Sequence, residues 1–106
     1  MNKVLEKLDT TIQERIKKSS KNSHTAKLVK KGPEKCAEKF GEEAIELIVA
    51  SIKKKKKEVI SEAADTLYHL CVLLRSKNIS INEVLSELAS REGISGIEEK
   101  RKRNLE

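Results

Sequence analysis

Glu43 and Glu46, and again Glu62 and Asp65, are carboxylate pairs at i,i+3 spacing. On a helix that spacing sets both members of a pair on one face. Around the first pair run Ala44, Ile45, Leu47, Ile48, Val49 and Ala50. Around the second run Val59, Ile60, Ala63, Ala64 and Leu67. This apolar context predicts two largely buried helices. A carboxylate beside a core is costly unless it is paired, hydrogen-bonded or bound to a metal. Four that converge also raise one another's pKa and resist ionisation. A divalent cation suits such a cluster, and hard oxygen ligands point to Mg2+ or Mn2+.

Convergence imposes a condition on the chain. No Gly or Pro separates Glu42 from Lys77, so no breaker forces a turn at the lysine run Lys53 to Lys57. On one straight helix Glu43 and Glu62 would stand about 28 Å apart. A shared site therefore needs a hairpin at the lysines or a second chain. The hairpin is preferred, because a long helix that is apolar nearly all round must fold back to be covered. The lysines then form a solvated turn and helix end, where cations suit the helix dipole.

Phosphate chemistry has its own candidates. Gly32-Pro33 punctuates the chain, and Pro suits a first helical position. The helix that starts there carries Lys35 and Lys39, which lead into Glu43 and Glu46 along one face at i+4, i+4, i+3. An ammonium-then-carboxylate face fits a metal–phosphate substrate. The plainer reading is surface i,i+4 ion pairing, which suits the lysines better than the carboxylates. Upstream, Ser23, Thr25 and Lys27 form a hydroxyl-and-ammonium group suited to phosphate. On spacing alone Ser23 is simply the cap of a short helix to about Lys31.

The remaining elements are helical. Val4, Leu5, Leu8, Ile12 and Ile16 make one stripe over residues 2–18, with Arg15 off it. Residues 19–24 read as a polar loop. Residues 56–77 carry Ile60, Ala63, Ala64, Leu67, Leu70, Cys71, Leu73 and Leu74, with Asn78 as the stop. His69 shares an edge with Glu62 and Asp65. It reads as a hydrogen-bonded core or interface histidine before it reads as a ligand. Ser80-Ile81-Asn82-Glu83 is a capping box, with Ile79 and Val84 as its staple. That helix runs to about Arg91 and stops at Gly93. Residues 94–106 form a charged tail.

Bulk properties agree with one all-α domain over residues 1–93. The chain has 106 residues, few glycines, one proline and almost no aromatics. A net charge of +6 suggests an anionic partner, or only a soluble surface. Cys36 and Cys71 lie outside any CxxC pattern and read as buried thiols in a reducing cytoplasm. No apolar run reaches spanning length, and the start has no signal-peptide pattern. Walker A, GxGxxG, HExxH and zinc-spacing sets are absent. The di-iron signature fails as well, since it needs Glu-x-x-His on paired helices.

Taken together, Gly41-Glu42-Glu43-x-x-Glu46 and Glu62-x-x-Asp65 resemble the EExxE…ExxD signature of the all-α MazG-like pyrophosphohydrolases. Further segments narrow the likeness: Thr11-Ile12-x-x-Arg15, Ser23-x-Thr25-Ala26-Lys27-Leu28, Gly32-x-x-Lys35, Glu62 to Leu70, and Gly93-Ile94-Ser95-Gly96. They resemble the phosphoribosyl-ATP pyrophosphatase family, whose enzymes act at the second step of histidine biosynthesis. The resemblance implies a four- to five-helix bundle completed by homodimerisation. It implies Mg2+ held by Glu43, Glu46, Glu62 and Asp65, with Glu42 beside them orienting water. It also implies phosphate contacts from Ser23, Thr25, Lys27, Lys35 and Lys39.

Two other readings stay open. A MazG-like house-cleaning enzyme for nucleoside triphosphates would use the same metals without the Ser23–Lys27 segment. A basic helical nucleic-acid-binding or scaffold protein would use the lysine run and the tail. The scarcity of stacking aromatics argues against single-strand binding, and the acidic pairs would then have no role.

Overall fold

The computed structural model describes residues 3–18, 23–53 and 55–92. Five helices follow in order: α1 Lys3–Ile16, α2 His24–Lys30, α3 Pro33–Lys53, α4 Lys56–Ser76 and α5 Ile81–Ser90. The all-α expectation holds. The stop at Gly93, the tail 94–106, most of the 19–24 loop and the Gly93–Gly96 motif lie outside the described residues.

The punctuation reads as sequence chemistry predicts. Ser23 caps α2 by accepting from the Ala26 N–H. Gly32 has φ 104, a left-handed conformation that suits glycine, and Pro33 then opens α3. Asn78 has φ 60. Its N–H donates to the Arg75 carbonyl, and the Ile79 N–H donates to that of Leu74, which closes α4 in a Schellman motif. At α5 the Ser80 and Glu83 side chains each accept from the other's backbone N–H, completing the capping box.

Helices α3 and α4 form the most extensive helix pair. The chain reverses between Lys53 and Lys56, and Lys55 takes extended dihedrals as the N-cap of α4. No glycine is needed there, because extended backbone is open to every residue. The hairpin is therefore real, and it brings the second acidic pair back beside the first.

The core lies toward the start of α3 and the end of α4. Ile12, Cys36, Cys71, Val72 and Ile81 are buried together, with Leu5, Leu8, Ile16, Leu28, Tyr68 and Leu85 among the residues packed around them. Both cysteines are free, as expected. Asp9 sits inside this assembly at 4 % exposure. Both its oxygens meet Arg75 of α4 at 2.8 and 2.9 Å, and one accepts from the Ile81 N–H of α5. One carboxylate thus joins three helices.

The expectation of two largely buried helices needs correction. Within one chain Ile45, Ile48, Ile52 and Ile60 are 57–73 % exposed. Of the four cluster carboxylates only Glu43 is buried. Helix α3 has one long partner, α4, and Ile45, Ile48 and Ile52 on it stay exposed among the described residues. Val4, counted on the stripe of α1, is exposed as well.

Candidate metal centre and its acidic hairpin

The two arms of the hairpin deliver their acids to one place. Glu43 of α3 and Glu62 and Asp65 of α4 each present a carboxylate oxygen within 4.8 Å of the others. Thr66 fixes the register of this meeting. Its hydroxyl lies 3.2 Å from the Glu43 carbonyl and 2.7 Å from that of Glu62. It ties α4 to α3 at the level of the acids.

Glu46, the fourth expected ligand, is exposed and falls outside that group of three, yet it hydrogen-bonds to Glu43 and feels Glu62. A hydrogen bond to the Glu43 carboxylate, then the charges of Glu43 and Glu62, push the Glu46 carboxyl above its ordinary range. Burial works to raise Glu43 too, but hydrogen bonds from Lys39 and Glu46 outweigh it and hold Glu43 below.

The donor chemistry of the cluster can be tested against a cation. Glu62 Oε2 is buried and has no hydrogen-bond partner among the described residues. An unpaired buried carboxylate oxygen is costly. Three hard oxygens that close together fit a divalent cation such as Mg2+. His69 is buried behind them, with Nδ1 also unpartnered. Burial lowers its pKa, with Glu43 pulling the other way. Its ring meets Tyr68 edge-on at 5.1 Å. His69 is thus the buried histidine expected, although its Nδ1 has no hydrogen-bond partner among the described residues.

The lysines divide. Lys39 lies 3.2 Å from Glu43 and 3.9 Å from Glu42, directly at the acids. Its hydrogen bond to Glu43 raises its pKa. Lys35 instead pairs with Glu38 on the surface. Both line a cleft of about 340 Å³ with Leu28, Lys31, Glu38 and Glu42. Glu42 faces that cleft rather than the three carboxylates. Lys27 is exposed on α2, with no ion pair or hydrogen bond to the cluster. Ser23 is engaged as a cap. Thr25 is 2 % exposed and its hydroxyl hydrogen-bonds with that of Tyr68.

Sequence reasoning passed over Thr66, Asp9 and Arg75. Asp9 had a visible signal, since it lies four residues after Leu5 and three before Ile12 on the stripe. An acid on an apolar face asks for a buried base. Thr66 gave none, because a threonine in mid-helix is ordinary until its neighbour is known.

The fold and the site together are those of an all-α hairpin with acids on both arms. The sequence pattern described as phosphoribosyl-ATP pyrophosphohydrolase matches residues 5–92. The chain belongs to the phosphoribosyl-ATP pyrophosphohydrolase family. A phosphoribosyl-ATP pyrophosphatase of Dinoroseobacter shibae is 54 % identical over 100 residues, covering 94 % of this chain and 98 % of the relative. One from Paracoccus denitrificans is 54 % identical over 99 residues, covering 93 % and 92 %. One from Rhodobacter capsulatus is 52 % identical over 96 residues, covering 91 % and 93 %. No described helix is long and apolar enough to cross a membrane.

Proposed function

We propose that this chain hydrolyses the α–β phosphoanhydride of phosphoribosyl-ATP, giving phosphoribosyl-AMP and pyrophosphate, in a Mg2+-dependent reaction in the cytoplasm. The observation that carries the reading is the meeting of Glu43, Glu62 and Asp65 within 4.8 Å beside the unpartnered Glu62 Oε2, in a chain of this family.

Phosphoryl chemistry asks a protein mainly for position and charge. Glu43, Glu62 and Asp65 would hold the metal, with Glu46 completing the set from beside Glu43. A bound divalent cation supplies neutralisation of the triphosphate oxygens. Lys39 sets an ammonium next to the carboxylates, where it stabilises charge gathering on a phosphate oxygen. A carboxylate of the cluster orients the attacking water and takes its proton. The new bond joins water oxygen to the α-phosphorus, and the bridging anhydride oxygen leaves with its electron pair on the departing pyrophosphate. No nucleophile–base pair of the Ser/His or Cys/His kind serves this reaction, so no covalent intermediate forms.

The protein would work as a homodimer. Ile45, Ile48 and Ile52 sit at i, i+3 and i+7 on α3 and are left to solvent in the single chain. A second copy covers such a stripe.

The test is pyrophosphate release from phosphoribosyl-ATP with and without Mg2+, beside a panel of plain nucleoside triphosphates. Mg2+-dependent release from phosphoribosyl-ATP alone is expected. Release from the plain triphosphates instead would move the chain to house-cleaning hydrolysis. Release from neither would overturn the enzymatic reading in favour of the basic surface.

A further inference from the structure

Resting on that reading, we propose that a cleft between α1, the start of α2 and α4 is a separate phosphate subsite. It takes the phosphate monoester of the phosphoribosyl arm. The cleft has a volume of about 270 Å³ and is lined by Arg15, Lys18, Ser23, His24, Thr25 and Tyr68. No carboxylate lines it. Arg15 and Lys18 supply two permanent positive charges, and neither has an acidic partner within ion-pair distance among the described residues. The Lys18 N–H donates to the Arg15 carbonyl at 3.1 Å, which tightens the end of α1 and holds the two residues one turn apart.

The hydroxyls complete the chemistry. Thr25 and Tyr68 hydrogen-bond to each other. Between them they own two hydroxyl hydrogens, and their mutual bond uses one. The other is left to donate, and an anion in the cleft would accept it. Arg15 offers a planar fork of donors that matches phosphate oxygens, and Lys18 offers a point charge.

The position favours the monoester over the reacting triphosphate. Tyr68 follows Asp65 by one turn of α4, so the cleft opens beside the acids without including them. The triphosphate would find its neutralising groups there, in Lys39 and in the divalent cation that Glu43, Glu62 and Asp65 would hold. Phosphoribosyl-ATP carries a further phosphate on its ribosyl arm, and that group needs cations of its own. A plain nucleoside triphosphate lacks it. The cleft thus makes a specificity determinant.

The experiment compares wild type with the exposed double variant Arg15→Gln/Lys18→Gln, its folding checked by circular dichroism. Ribose 5-phosphate is titrated first, read by amide chemical shifts in the metal-free protein. Shifts at Thr25 and Tyr68 are expected in wild type and their loss in the variant. Losing charge-assisted phosphate contacts should raise KM for phosphoribosyl-ATP about 10- to 100-fold, with kcat little changed. ATP, as a competitor, should keep its inhibition constant. An equal weakening of ATP would assign the cleft to the triphosphate and overturn the monoester reading. An unchanged KM would remove the subsite altogether. Should wild type fail to turn over phosphoribosyl-ATP, the proposed reaction falls, and ribose 5-phosphate binding alone decides the cleft.

Discussion

Lys39 Nζ lies 3.2 Å from Glu43 Oε1, one turn away on α3. An ammonium therefore already occupies the carboxylate on which a divalent cation would draw. The lysine keeps Glu43 ionised, and it must share that oxygen once a cation arrives. Lys39→Met separates the two effects. Removing the competing positive charge should leave Mn2+ affinity equal or tighter, by up to about tenfold. Removing a donor aimed at developing charge should cut kcat by about 10²- to 10³-fold. Calorimetric Mn2+ titration beside steady-state kinetics reads both. A parallel loss of affinity and turnover would show that Lys39 builds the site rather than serving the phosphate.

Charge deletion in the cluster should separate chemistry from folding. Asp65 is exposed, and Asp65→Asn removes one proposed ligand without opening a cavity. Turnover should disappear while the helical spectrum stays. The metal-free variant should be as stable as wild type or slightly more so, because like charges no longer face one another. Full activity in this variant would remove the metal-site reading.

Much of this arrangement was legible in the sequence, for identifiable reasons. Ser23, Pro33, Asn78 and the Ser80–Glu83 box are local signals, and each marks the boundary where it falls. The pairing of Glu43 with Glu62 and Asp65 followed once a hairpin was required. Contacts between residues far apart in the chain were not legible. Nothing near Asp9 announces Arg75, and nothing near Thr66 announces the Glu43 carbonyl. The exposure of Ile45, Ile48 and Ile52 was not legible for a related reason. Apolar spacing says that a face will be covered, not which chain covers it.

Asp9 and Arg75 give a prediction on stability. The carboxylate is 4 % exposed and serves Arg75 and the Ile81 N–H at once. Removing one partner of such a pair leaves the other buried and uncompensated, at about 3–5 kcal/mol. Arg75→Met should therefore lower the urea midpoint sharply. Adding Asp9→Leu should recover part of the loss, since no unpaired charge then remains. A single-variant loss under about 1 kcal/mol would mean that the pair behaves as a surface ion pair.

Stability should also depend on pH through His69. Burial lowers its pKa below the ordinary 6.5. Under mildly acidic conditions the unfolded chain then binds a proton that the folded chain does not. Stability rises with pH through that window. The contribution is complete above about pH 6.5 and is lost as pH falls through the folded-state pKa. Urea unfolding of the metal-free protein between about pH 5.5 and 8 should show this slope. His69→Gln should flatten it. An identical slope in the variant would place the proton elsewhere.

The exposed stripe of α3 bears on assembly. Ile45, Ile48 and Ile52 are 62, 57 and 73 % exposed, and covering an isoleucine is worth about 1.5–3 kcal/mol. Leaving three on one helical face opposes solubility unless a partner hides them. Ile48→Asp should therefore convert a dimer to a monomer in sedimentation. Its cost to the single chain should be small, because that side chain already faces solvent there. The adjacent cleft contains Ile45, Glu46, Val49 and Glu62, so the same face borders the acids. Loss of the second copy should then lower turnover as well as the sedimentation coefficient. A wild-type chain that sediments as a monomer at working concentration would overturn the dimer, and the stripe would have to be explained by another occupant.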